Sequence, residues 1–364
     1  MLFRNSTLKK LRSALISLSF LFLSFGALNL SLAQDQEWRT YGGDLASTRY
    51  SPLDIIDSEN FNELEVAWEF DTSNFGSSPE FNFQSTPLMV NRTLYTTAGS
   101  RRAVVALNAQ SGEILWMFRH DEGERGSNAP RRLSGRGLSW WDDGSAKGRI
   151  IFVTPGYQMI ALDAASGKLI VSFGIDGIVD LKQEFDQNLD LVTGEVGLHS
   201  APIVANGVVV IGSAFRAGRM PTSRAKPKGH VRGYDARPGN RLWIFHTIPQ
   251  ADEYGNDTWL NNSWTYTGYG GVWAQMTIDP TLNMVYLPTE VATGDSYGGH
   301  RHGDNLFTNS VVALDLTTGE RQWHFQTIHH DVWDWDIPSA PILLDLTIDG
   351  QTTAALAQPV KQGF

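Results

Sequence analysis

One short pattern recurs along the chain and limits the fold more than anything else in it. Ala313-Leu-Asp-Leu-Thr-Thr-Gly319 is followed four residues later by Trp323. Ala106-Leu-Asn-Ala-Gln-Ser-Gly112 leads to Trp116, and Gly233-Tyr-Asp-Ala-Arg-Pro-Gly239 leads to Trp243. Ala161-Leu-Asp-Ala-Ala-Ser-Gly167 leads to Val171, where the indole would stand. Each copy reads as strand, turn, strand: apolar or β-branched residues, then turn chemistry, then a resumed strand. The Asp can bond turn amides, and the indole can lie across a neighbouring unit while its N–H finds a backbone acceptor. More strand-like sequence precedes each copy, at Thr93 to Ala98, Arg149 to Thr154, Val208 to Ser213 and Asn283 to Pro288. Each unit is therefore a meander of about four antiparallel strands. Copies about 55 to 80 residues apart are one structural unit with variable insertions. The fold class is all-β, a β-propeller. A β-sandwich with coincidental hairpins is the lesser alternative. Val66 to Phe70 reads as the last strand of a further blade. Ser339 to Leu346 and Ala354 to Phe364 read as the opening strands of another. Four to five blades are expected, in an incomplete ring with unpaired edges.

Residues 1–33 read as a segment apart. Arg4, Lys9, Lys10 and Arg12 precede a nearly apolar stretch from Ala14 to Phe25, and Ser31-Leu-Ala33 offers a small-residue cut site. This is the pattern of a secretory signal, which implies export to the periplasm; an uncleaved membrane anchor is the alternative. Its removal lowers the net charge from −10 to −14. Such a body has no general affinity for nucleic acid. The chain has no cysteine, hence no disulfide and no covalent haem motif. With 41% hydrophobic residues and 12 Trp, packing alone can hold it together.

The densest cluster of ionisable groups and indoles is His329-His-Asp-Val-Trp-Asp-Trp-Asp336. A carboxylate held against aromatic rings loses solvation, which suits a general base. Asp331 is open between that role and turn capping; for Asp334 and Asp336 turn capping is the expectation. Arg131, Arg132 and Arg136 precede Trp140-Trp141. Guanidinium groups near indoles suit a planar anionic ligand. A loop with Arg216, Arg219, Arg224, Lys226 and Lys228 reads as a solvated basic loop. Trp273 precedes a strand, with core packing as its default.

Together these stretches resemble the pyrroloquinoline quinone (PQQ)-dependent alcohol and glucose dehydrogenases, from about Trp38 onward. Tyr41-Gly-Gly-Asp44 with Arg49-Tyr-Ser-Pro52 looks like the family's opening. The four repeats look like its tryptophan-docking motifs, and Arg136-Gly-Leu-Ser-Trp140 and His329-His-Asp-Val-Trp-Asp334 like its site motifs. The resemblance implies an eight-bladed propeller of which 34–364 is the N-terminal part. It implies a PQQ cofactor with a metal, Ca²⁺ or Mg²⁺, and oxidation of an alcohol, sugar or polyol, with electrons passed to a membrane quinone or a cytochrome. By the same resemblance Asp331 is the base that takes the hydroxyl proton, and Lys361 contacts the quinone oxygens. Arg136 lies beside the cofactor, Trp273 is the floor under its rings, Gln84 falls where a carboxylate often contacts it, and Ser213 lies in the strand that reaches its carboxylates.

Two departures from the family pattern bear on the metal. Members that bind calcium firmly use a glutamate after the strand ending at Ser213 and an asparagine about where Val291 stands. Here Phe215 to Gly218 offers no carboxylate and Val291 cannot ligate. Glu290 is next to Val291, but strand alternation points it to the other face. The vicinal cysteines of the methanol enzymes are replaced by Pro130-Arg131. The pattern leans toward the sugar or polyol branch, with the metal ligands unassigned. Two alternatives remain: a non-catalytic propeller serving as an envelope scaffold, or an enzyme that has lost its metal.

Overall fold

The structure is a computed structural model that describes residues 37–76, 80, 82–144, 148–216 and 223–363. The signal segment and residues 217–222 of the basic loop lie outside the described residues. The chain divides into two compact units. The described part of one comprises Glu37 and residues 50–64. Within it the Asp57 carboxylate accepts the amides of Glu59 and Asn60 at 2.8 and 3.1 Å and seats a single 3-10 turn, Phe61–Glu63.

The other unit, 38–49 and 65–363, holds the repeats. Its first sheet is β1 (Leu88–Val90), β2 (Thr93–Ala98), β3 (Ala103–Asn108) and β4 (Ile114–Phe118). The second is β5 (Ser139–Trp141), β6 (Arg149–Val153), β7 (Gln158–Asp163) and β8 (Ile178–Asp180). The third is β9 (Ile203–Ala205), β10 (Val208–Ile211), β11 (Val231–Asp235) and β12 (Arg241–Phe245). The fourth is β13 (Thr277–Asp279), β14 (Met284–Pro288), β15 (Ser310–Asp315) and β16 (Arg321–Gln326). A hairpin of β17 (Ile342–Ile348) and β18 (Gln351–Ala357) follows. Within every sheet the strands lie side by side in chain order, all antiparallel. These are four meander blades and the first pair of a fifth. The expected strands from 354 to 364 and 66 to 70 differ in extent: β18 stops at Ala357, and 66–70 forms no strand.

Core residues lie between sheets. Val104 and Ala106 of the first blade pack with Ile150 and Ile160 of the second. Ile151 and Met159 of the second pack with Val209 and Ile211 of the third. Val208 and Val210 of the third pack with Val285 and Val312 of the fourth. Central strands bury both faces, which is why they read as nearly continuous apolar runs.

The repeat explains how blades are joined. Asp315 Oδ1 accepts the amides of Thr317 and Thr318 at 2.9 and 2.8 Å, and Gly319 takes the positive φ of +74° that closes the turn. The indole of Trp243, from the preceding blade, lies flat on that glycine. A Cβ on Gly319 would sit 2.6 Å from the ring, and the indole N–H donates to Leu316 O at 2.9 Å. Trp116 does the same on Gly167, bonding Ala164 O at 3.0 Å, and Trp68 on Gly112, bonding Ala109 O at 3.3 Å. So Trp68 docks as its repeat position predicts although its segment is not a strand. The exception is the seam after the second blade. Val171 is 70% exposed and docks on nothing comparable. At that seam Phe173 and Val179 cover the turn glycine Gly239 in place of an indole, and Gly174 N bonds Pro238 O at 2.7 Å with Arg149 Nη1 to Ala236 O at 3.1 Å.

Removing a docked indole leaves a cavity between blades and an unpaired carbonyl. Trp243→Ala is expected to cost about 3–5 kcal/mol in urea unfolding. Val171→Ala, at the matching but exposed position, is expected to stay within about 0.5 kcal/mol. A Trp243→Ala loss no larger than that of Val171→Ala would remove the docking argument.

Candidate cofactor site

Arg136, Asp336 and Lys361 gather about the Trp273 indole. Arg136 stacks over that ring, its guanidinium carbon 5.1 Å from the centroid. On sequence grounds Trp140 and Trp141 were the nearer indoles; they instead lie under Arg39 and under Arg149 with Arg237. Trp273 Nε1 donates to Asp336 Oδ2 at 3.1 Å. Lys361 Nζ donates to the same oxygen at 3.3 Å and to Asp334 O at 2.6 Å, and its distance to Asp334 Oδ2 is 3.4 Å. Asp334 and Asp336 thus hold a cation and an indole in place, rather than the turn caps expected of them.

Asp331 ties these groups to the fourth blade. It is 1% exposed. Its carboxylate accepts the amides of Trp333 and Trp335, both at 2.8 Å, and the Asn309 side-chain amide at 3.0 Å. Three donors occupy three of its roughly four lone-pair positions. Arg301, fully buried, donates to the Asp331 carbonyl, to Thr293 O at 3.1 Å and to Asn305 Oδ1 at 2.7 Å. Asp331 therefore caps its own turn, and that turn carries Asp334 and Asp336 to Lys361.

Gln84 reaches the cluster through a residue that sequence reading passed over. Its Oε1 lies 2.6 Å from His199 Nε2, and the His199 carbonyl accepts the Arg136 amide at 3.0 Å. Burial, then the nearby Arg136, Arg131 and Arg102 guanidinium groups, lower the His199 pKa to about 3. The imidazole is thus neutral at physiological pH, and its Nε2 serves Gln84 as donor. A lone His ahead of a strand gave no signal of this.

Ser213 is fully buried, and its hydroxyl has no hydrogen-bond partner among the described residues. Its amide donates to Val272 O at 3.2 Å, which places it one residue from the Trp273 floor. Glu290 corrects the sequence expectation. It lies beyond the last β14 residue, where alternation no longer governs direction. Its amide donates to Gly271 O at 2.9 Å, and its Oε1 accepts the Gly271 amide at 3.1 Å. Glu290 thus faces the site. Burial, then the Asp336 carboxylate, push its pKa well above the usual carboxylate range. Burial also raises Asp336, to about 6, with Lys361 opposing and Asp334 adding.

The arrangement is a flat indole floor, three cations in Arg131, Arg136 and Lys361, and unpartnered buried polar atoms on Ser213, Arg131 and Asp336. These residues fit a flat polyanionic ligand, because cations and an aromatic face are what such a molecule needs in a low-dielectric site. No group of three or more His, Cys, Asp or Glu among the described residues is arranged to hold a metal. A cavity of about 720 Å³ shares Arg131 and His199 with the cluster but is otherwise lined by residues such as Asp121, Glu122 and Pro155. Trp273, Asp336 and Lys361 do not line it, so the cluster and not that cavity defines the site.

A propeller of repeated blades that sets cations beside an indole has the chemistry to hold a planar anionic ligand. The sequence profile of the glucose/ethanol/alcohol dehydrogenase β-propeller domain, PQQ type, matches residues 38–364, and the chain belongs to that family. It is 33% identical over 338 residues to the glycerol dehydrogenase large subunit of Gluconobacter oxydans (strain 621H), covering 90% of this chain and 44% of that one. It is 30% identical over 351 residues to the quinoprotein glucose dehydrogenase of Escherichia coli (strain K12), covering 92% and 42%. The fold superposes on the quinohemoprotein alcohol dehydrogenase of Comamonas testosteroni with a TM-score of 0.74 at 27% identity, covering 90% and 46%. The chain spans less than half the length of the curated relatives it matches.

Asp295, beside this cluster, is also raised to about 6, by burial and then by Asp334. A carboxyl raised on folding binds its proton more tightly folded than unfolded, where Asp titrates near 4. Its ionisation therefore lowers stability as pH rises from about 4 to about 6, and the loss is complete above that. Asp295→Asn is expected to gain stability relative to the parent between about pH 4.5 and about pH 7, with a level difference above. Urea unfolding at each pH checks this; a difference that does not change over the interval would contradict the raised pKa.

Proposed function

We propose that the protein is the N-terminal part of an exported, periplasmic PQQ-dependent dehydrogenase that oxidises the hydroxyl of an alcohol, sugar or polyol. In this reading electrons leave for a membrane quinone or a cytochrome. The observation that supports the reading is the contact network that joins Arg136, Trp273, Asp336 and Lys361 to the turn of Asp331. A scaffold propeller has no use for the buried carboxyls of Glu290 and Asp336 beside partly buried Arg131 and Arg136, since burying charge costs free energy unless a ligand or partner compensates.

When bound, PQQ supplies the acceptor for the two electrons and the hydrogen leaving the substrate carbon. The chain's own residues do the rest. Trp273 supports the ring system, and Arg131 and Arg136 neutralise its carboxylates. Lys361, held by Asp334 and Asp336, presents a fixed positive charge to its oxygens. Asp331 takes the proton from the substrate hydroxyl. Its orientation is set by three N–H donors, so it need not reorganise when the proton moves. A divalent metal, Ca²⁺ or Mg²⁺, completes the reading as the ion that polarises the quinone carbonyl.

The test uses the full-length protein reconstituted with PQQ and Ca²⁺ or Mg²⁺, with dye reduction followed over a panel of alcohols, sugars and polyols. Asp331→Asn is expected to lower turnover by about 10²-fold or more while PQQ still binds. A fully active variant would end the base assignment. Absence of both PQQ binding and dye reduction in the parent would end the reading as a whole.

A further inference from the structure

We propose that Arg102 is a positioning residue of the cofactor site: its guanidinium clamps the backbone of residues 131–133 to the backbone beside His199 and so fixes where Arg131 and Arg136 present their charges. The proposal rests on the PQQ reading above and deepens it, by naming a residue that governs quinone affinity without touching the quinone.

Arg102 closes the turn between β2 and β3, its amide bonding Gly99 O at 3.0 Å. Its side chain leaves that turn and is buried among three other segments, with 3% of the residue exposed. Nε donates to Leu133 O at 3.1 Å and Nη2 to Arg131 O at 3.2 Å. Nη1 donates to Val153 O at 2.8 Å and to Leu198 O at 3.1 Å. Four of the five N–H groups of the fork are thus spent on main-chain carbonyls. Burial lowers its pKa to about 10, with the Glu122 and Glu80 charges opposing, so the group stays cationic at physiological pH. A side chain so engaged cannot also bind an anion. Its effect on a ligand must pass through what it holds.

What it holds is the cationic side of the site. The Arg131 carbonyl is fixed by Arg102, while Arg131 Nε is buried with no hydrogen-bond partner among the described residues. The main chain is anchored and the side chain is left for a ligand. Two residues after Leu133, Gly135 packs on the fork: a Cβ there would stand 2.9 Å from the guanidinium carbon. Arg136 follows directly. On the other arm Leu198 precedes His199, whose carbonyl accepts the Arg136 amide at 3.0 Å and whose ring meets Gln84. Both routes from Arg102 end at Arg136, and one passes through Arg131. Glu80 braces the same loop, taking the Ser134 amide at 2.9 Å and the Gly99 amide at 3.1 Å. Carbonyls on three separate segments need a rigid planar fork, and an ammonium on a single stem cannot span them.

The full-length protein is titrated with PQQ by quenching of indole fluorescence, and its stability without PQQ is followed by urea unfolding. Arg102→Lys keeps the charge and loses the fork. The folded variant should bind PQQ about tenfold or more weakly, and Arg102→Met should lose about the same factor, since geometry and not charge is at stake. Arg131→Met should weaken binding as well. In that background Arg102→Lys should cost only about threefold or less, because the group it positions is gone. A merely structural role would instead lower stability and leave the PQQ affinity of the folded protein unchanged, or cost the same factor in both backgrounds. If neither variant at 102 folds, Gly135→Ala carries the same cycle, since its Cβ presses on the guanidinium and keeps the charge. A folded Arg102→Lys with the parent's PQQ affinity overturns the proposal. So does an undiminished loss in the Arg131→Met background, and both results leave the PQQ reading standing. A parent that binds no PQQ under any condition overturns the proposal and the reading together.

Discussion

Three indoles, Trp68, Trp116 and Trp243, each rest on the turn glycine of the following blade and donate the N–H to a carbonyl just before that glycine. The interaction joins three requirements at one place. A large apolar face is removed from water, a buried N–H is satisfied, and the glycine supplies both the positive φ of the turn and the space for the ring. Sheets of four short strands would otherwise have two apolar faces and nothing to set the angle between them. Docking fixes that angle where an indole is present, onto the first, second and fourth blades. The candidate site lies in loops at the strand ends: Arg136 precedes β5, Trp273 precedes β13, and Ser213, Glu290 and Asp336 follow β10, β14 and β16.

Within the cleft, acids hold cations and cations hold the ligand's place. Lys361 is kept by Asp334 and Asp336, and Arg136 by the Trp273 face. The protein as a whole is acidic, with a formal net charge of −10. Three of its positive groups, Arg131, Arg136 and Lys361, nonetheless lie close together beside the carboxyls of Glu290, Asp334 and Asp336. Burial lowers the pKa of Arg131 and Arg136 and raises that of Glu290 and Asp336, so it disfavours the charged form of both signs. A ligand that brings both carboxylates and a cation relieves both.

The repeat made the blades legible because its signal is local: alternating apolar residues, an Asp or Asn, a Gly and an indole within eleven positions. β2, β6 and β14 lie where strand-like sequence placed them. The docking of Trp68 was legible even though its flanking residues form no strand, since docking depends on the indole and not on the ladder. The candidate site was legible in part. Arg136, Trp273 and Lys361 are joined by contacts through Asp336, while Asp331 caps the turn that carries Asp336, Gln84 reaches Arg136 through His199, and Ser213 is buried beside Val272. Three things were not legible. Arg136 finds its indole 137 residues away rather than among its neighbours, and no spacing rule reports that. Glu290 was assigned by extending strand alternation past Pro288, where the strand has ended. His199, Arg301 and Asn309 act through contacts with segments far along the chain, and each is an ordinary polar residue in its own window.

The segment from Trp38 to Ser47 pairs at one end with the first blade, Trp38 N to Met89 O at 3.0 Å. At the other end Leu45 O accepts the Ile278 amide and Ala46 O the Leu343 amide, both at 3.0 Å, and Ser47 meets Thr277 across 230 residues of chain. A stretch synthesised early thus has part of its partners more than 200 residues further along the chain. At ribosomal speeds of about 5–20 residues per second, roughly 300 residues of delay separate by about 15 to 60 seconds the moment this strap leaves the tunnel and the moment β17 exists to receive it. Until then the Leu45 and Ala46 carbonyls have water in place of the Ile278 and Leu343 amides. The early blades must stay soluble while this crosspiece waits for partners made much later.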